Sequence, residues 1–168
     1  MSATTGSTHP GHRATALSRM EKYRLRQQGL AAAAASPEGT DVLWGPSAIF
    51  ADRIDLAGAA QDAWWHAVLA RVDATLDDDM SAMAPEARRG AVRDAWAAQL
   101  CATPGYLPLA ALGAGDRDHD ARERRYARVL ALFAGAADVA DDADVAAEAG
   151  LDLVRQLSAG RRLVSSHP

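Results

Sequence analysis

The sequence predicts an all-α protein, a single-domain bundle of about five helices behind a flexible N-terminal tail. Three observations carry this. Alanine dominates the 49% of residues that are apolar, and alanine favours helix because it loses no side-chain entropy there. The runs of Val, Ile, Thr and Tyr expected of strands are missing. The stretch 54–76 repeats its apolar residues at helical spacing. With Trp65 at zero on a wheel of about 100° per residue, Val68, Leu69, Val72 and Leu76 fall within about 60° of it.

Taken in order, residues 1–12 are Ser, Thr, Gly and Pro with almost nothing to bury, which reads as a mobile tail carrying His9 and His12. Residues 13–35 are helix-prone but poorly amphipathic, with Leu17 and Met20 near one face and Gly29 interrupting the run. Ser36-Pro37-Glu38-Gly39-Thr40-Asp41 and Gly45-Pro46 are breaks on either side of Val42-Leu43-Trp44. Ser47 suits the cap of a short helix carrying Ile49, Phe50 and Ile54, and Asp55 either caps the central helix or lies within a continuous one.

The central helix is the piece the rest must pack around. Its expected end is Asp77-Asp78-Asp79, because three carboxylates oppose the negative end of the helix dipole. Pro85 and Glu86 open the next helix, with Val92, Trp96 and Leu100 as its stripe and Pro104-Gly105 as its end. Tyr106-Leu107-Pro108-Leu109 reads as an apolar connector lying against the other helices. A helix follows over about 121–137, with Tyr126, Val129, Leu130 and Phe133 inward, and a last one over about 143–158 buries Leu151, Val154 and Leu157 and stops at Gly160. The helical domain thus spans 13–160, and 161–168 fray.

Composition excludes several classes. A chain of 168 residues fits one core. A net charge of −4 argues against a generic nucleic-acid binder. Charge is nevertheless uneven: Arg13, Arg19, Lys22, Arg24 and Arg26 stand against Glu21 alone, whereas 138–152 hold six acidic residues and no basic one. The single cysteine, Cys101, fits a reducing, cytoplasmic setting and reads as a small buried hydrophobe. Residues 1–12 lack the apolar core of a signal peptide and no apolar run of about 18 residues occurs, so a soluble cytoplasmic protein is expected.

Candidate sites are few. Asp62, His66, Asp73 and Asp77 line one flank of the central helix, and Asp62 with His66 four residues on can face one ion, with His119 from a neighbouring helix as a third ligand. Two ligands do not make a site, and the paired Glu-x-x-His of di-iron bundles is missing. Asp116, Asp118 and Asp120 match the start of a calcium loop, but Ala121 and Ala127 occupy the places that need Gly and a bidentate Glu. Arg122, Arg124, Arg125 and Arg128 form a second basic cluster, expected to pair with carboxylates. Trp64, Trp96 and Tyr126 are candidate linings of a ligand pocket in a core short of large side chains.

No motif names a reaction, and no catalytic residue or resident cofactor is assigned. The reading favoured is a non-catalytic accessory or adaptor subunit of a bacterial assembly, touching another protein chain in a hetero-complex or homo-oligomer through Arg13, Arg19, Lys22, Arg24 and Arg26. One alternative is a DNA-associated regulator using the same basic helix. The other is a metal-dependent enzyme centred on His66.

Overall fold

The computed structural model describes the backbone of residues 11–36, 49–76 and 82–164, with side chains over 19–36, 49–76 and 82–159. It is all-α, with six helices among the described residues: α1 (Gly11–Ala35), α2 (Arg53–Asp73), α3 (Pro85–Ala102), α4 (Tyr106–Ala111), α5 (Arg117–Ala134) and α6 (Ala143–Val164). Among the described residues no helix is long and apolar enough to cross a membrane. The expected Ser47 cap, Trp44 and the Asp77–Asp79 stop lie outside the described residues.

α2 serves two cores. Trp64, Trp65, Val68 and Val72 meet Val92, Ala95 and Trp96 of α3 and Leu130 and Ala134 of α5. One turn further back, Leu56 and Ala60 meet Leu30 and Ala33 of α1, Phe50, and Leu109 and Ala110 of α4. Tyr106, half-buried, packs against both. The aliphatic parts are small, so the indoles supply the bulk. Trp64 and Trp96 meet edge to face at 5.5 Å, Trp65 and Trp96 at 5.8 Å, and Tyr126 lies nearly parallel to Trp65 at 5.6 Å.

Small residues let the backbones come close. A Cβ on Gly105 would sit 1.9 Å from the Ala34 carbonyl oxygen, and one on Gly150 would sit 1.9 Å from that of Ala127. The second contact seats α6 on α5, with Ala146 and Ala147 buried beside it. It also explains a departure from the expected α5 stripe. Leu130 is buried and Tyr126 and Phe133 pack half-buried against the core as expected, but Val129 is exposed and Ala127, Ala131 and Ala134 are buried instead, because the close approach of α6 favours the alanine side.

Other boundaries differ from the sequence expectation for local reasons. Asp52, not Asp55, caps α2, its Oδ1 accepting from the Asp55 amide at 2.8 Å. Asp116 starts α5 four residues early by accepting from the amides of Asp118 and His119. The expected connector 106–109 is helical as α4. Pro108 fits there because the first amides of a helix have no partner within it. Gly160 does not stop α6, which continues to Val164. Cys101 is exposed rather than buried, since it lies about 180° around α3 from Val92.

Arg88 performs a task that local spacing conceals. Its Nε donates to the Phe133 carbonyl at 2.9 Å, and its Nη2 donates to that of Leu132. A cation thus closes the negative end of α5, at the point where Gly135 turns the chain with φ of 64°.

Candidate functional site

α2 presents two chemically different walls. Its outer flank borders an open cleft of about 1060 Å³ lined by Arg26, Asp55, Asp62, His66, Asp118 and Arg122, among others. Its inner flank borders a smaller cavity of about 290 Å³ between α2, α3, α4, α5 and α6.

On the outer wall Tyr126 of α5 reaches across to α2. Its hydroxyl donates to Asp62 Oδ1 at 2.9 Å and lies 3.2 Å from His66 Nε2, with the ring edge to face against the imidazole at 5.5 Å. A phenol has one proton, so with that proton on Asp62 the imidazole acts as donor at Nε2. Arg122 Nε stands 3.5 Å from the same Asp62 oxygen. Its guanidinium fits over α2 because residue 58 is glycine: a Cβ there would lie 2.4 Å from Arg122 Nη1. Burial, reinforced by the Asp62 carboxylate, pushes the Tyr126 hydroxyl up to about 12, so it holds its proton.

The expected metal ligands therefore separate by role. Asp62 and His66 share Tyr126. His119 is 5% exposed, seated against Gly113, where a Cβ would come within 2.4 Å of its ring. Among the described residues no three His, Cys, Asp or Glu side chains form a group able to hold a metal ion. The acidic start of α5 has a capping geometry: Asp116 accepts two amides, and Asp120 accepts from Gly115.

The basic residues also divide. Arg19, Lys22 and Arg24 are exposed along α1, and the side chain of Arg13 lies outside the described residues. Arg26 is engaged within the chain, paired with Asp55, donating to the Ile49 carbonyl and lying over the Phe50 ring at 4.7 Å. In the second cluster Arg122 is paired with Asp62, and Arg124 bridges Glu148 at 2.6 Å and Asp144 at 3.2 Å, tying α5 to α6.

Of the expected pocket residues, Trp64 and Trp96 line the inner cavity, whereas Tyr126 belongs to the outer network. The cavity adds Gln61, Glu123 and Ser158, which sequence reasoning passed over, and His119, which the sequence had suggested only as a metal ligand. Gln61 had a signal. It lies about 40° from Trp65 on the wheel, a polar side chain on the apolar stripe. In comparisons with known proteins no family model matches the chain, and neither a curated protein nor a solved structure matches it.

Proposed function

We propose that the protein is a single-domain helical bundle that works in the cytoplasm as an accessory or adaptor subunit of a bacterial assembly, acting by protein–protein contact and without a catalytic site of its own. The observation that carries this reading is the state of α1. Its C-terminal part is anchored through Gly29, Leu30 and Ala33, but residues 19–25 are all exposed. Within that exposed stretch Met20 is 65%, Tyr23 62% and Leu25 47% accessible, interleaved with Arg19, Lys22 and Arg24. Large apolar groups left in water beside cations that make no ion pair among the described residues favour a partner that covers both.

Charge selects the kind of partner. The chain as a whole is acidic at −4, so the basic stretch of α1 stands out locally and suits an acidic protein surface with an apolar centre. Photo-crosslinking tests this with a benzophenone side chain in place of Tyr23 and, as a control, in place of the exposed Asp73. A discrete adduct from position 23 alone, lost when Arg19, Lys22 and Arg24 are changed to Glu, supports the reading. Crosslinks to nucleic acid from position 23 would favour the DNA-associated alternative.

A further inference from the structure

Among the described residues five buried side-chain nitrogen and oxygen atoms have no hydrogen-bond partner: Gln61 Oε1, Trp64 Nε1, Trp96 Nε1, and both ring nitrogens of His119. The four residues that own them all line the 290 Å³ inner cavity. They are among the most enclosed polar groups in the chain, with Gln61 2%, Trp64 1%, Trp96 3% and His119 5% exposed. Leaving a buried polar atom without a partner is costly, and native interiors seldom do it. Here the orphans belong to four residues around one space.

Their chemistry describes what would satisfy them. Each indole N–H can only donate, so the cavity asks for acceptors at two places. Gln61 donates its Nε2 to the His119 carbonyl at 3.2 Å, which fixes the amide and leaves Oε1 as an acceptor in need of a donor. A neutral imidazole offers one further donor and one further acceptor.

The walls narrow the class. Trp64 and Trp65 each stand at a steep angle to Trp96, 83° and 66°, making a corner in which a flat ring lies on one face and turns its edge to another. No Lys or Arg lines the cavity, so an anion would be buried without a counter-charge. A cation could pair with Glu123, the partly exposed carboxylate of the lining, but it would leave both indole N–H groups without an acceptor. The volume is near the lower end of the range of small-molecule pockets, about 300–1,000 Å³. Ala111, Ala114 and Ser158 are exposed residues of its lining, so the cavity opens to the surface between α4 and α6.

We propose that this cavity is a binding site for a small, neutral, planar nitrogen heteroaromatic compound carrying both acceptors and a donor on its edge. The ring stacks among the three indoles, and its edge atoms satisfy Trp64, Trp96, Gln61 and His119. The site is independent of the contact surface on α1.

The test uses the full chain and three probes of similar size: quinazolin-4-one, which is neutral with two acceptors and one donor, benzoate, and phenyltrimethylammonium. The readout is the assigned indole N–H signals of Trp64 and Trp96 in ¹H–¹⁵N spectra. Quinazolin-4-one should move both signals saturably, with a midpoint between about 10 μM and 1 mM, the affinity expected of so small a ligand. The two ions should move neither. Filling the mouth by Ala114→Phe or, separately, Ser158→Phe should abolish the shift while the circular dichroism stays helical. Saturable binding of an ion instead, no saturable shift with quinazolin-4-one, cross-relaxation of the indole N–H groups with water alone, or binding that survives both mouth variants would overturn the proposal.

Discussion

Arg26 closes a two-pronged ion pair on Asp55 across the boundary between α1 and α2, Nη1 on Oδ2 at 2.9 Å and Nη2 on Oδ1 at 2.6 Å. The same carboxylate accepts from the Ala51 amide at 3.0 Å, so it also holds the entry into α2. This pair, with Leu30 and Ala33 behind it, is what fixes the base of α1 while residues 19–25 stay exposed.

The guanidinium of Arg26 holds the Asp55 carboxyl below its ordinary range, with the Ala51 amide adding to the effect against the cost of burial. A depressed carboxylate contributes stability that is present above the unfolded value, near pH 4, and is lost as pH falls through the folded one. Asp55→Asn should therefore lower stability at pH 7 by about 0.5–1 kcal/mol, the modest worth of a half-exposed pair. The deficit should shrink to nothing as the parent protein is titrated below pH 4. Urea unfolding of both proteins across pH 2–7 checks this, and limited proteolysis should show α1 of the variant cleaved faster.

Tyr126 gives a second pH signature, of opposite sense. Its folded value of about 12 lies above the ordinary 10. Stability from the Tyr126–Asp62 contact is thus fully present below pH 10 and is lost as pH rises through about 12. Of the three tyrosines, one should ionise near pH 12 in a phenolate absorbance titration, and Tyr126→Phe should remove that phase.

Two glycine substitutions should act in opposite directions. Gly150→Ala places a Cβ 1.9 Å from the Ala127 carbonyl oxygen, so α5 and α6 must separate. The expected loss is at least about 2 kcal/mol, at the upper part of the range for overpacking. Gly90, inside α3, has nothing within 4 Å of such a Cβ, and Gly90→Ala should gain about 0.5–1 kcal/mol by restricting the unfolded chain. Denaturant midpoints of the two variants measure both.

Arg88→Ala should cost about 1–2 kcal/mol, because it removes a charged donor from two carbonyls at the end of α5. Arg88→Lys should recover only part of this, since one ammonium does not reproduce the two-point geometry. Thermal unfolding of the three proteins ranks them.

What the sequence disclosed follows from the range of each signal. The α2 stripe was legible because Trp65, Val68 and Val72 repeat within a few turns, and these side chains are buried. α4 was not, since six residues containing Pro108 carry no period of their own and are helical by docking on α2. The Arg88 cap joins residues 45 apart in the chain, beyond any local pattern. At the site, spacing placed Asp62 and His66 on one flank. It did not supply Tyr126, 64 residues on from Asp62, which engages them both. Gln61 sat in plain view on the apolar stripe, and its place there becomes intelligible only beside Trp96 and His119 in one cavity.

The claim that the exposed part of α1 is a docking arm is tested most directly by crosslinking from position 23 in the cells that make the protein, followed by reconstitution with the purified partner so identified. One acidic protein adduct is expected, and a complex that weakens at least tenfold when Arg19, Lys22 and Arg24 become Glu. Indistinguishable adducts from positions 23 and 73, or a reconstituted complex indifferent to that charge reversal, would contradict it.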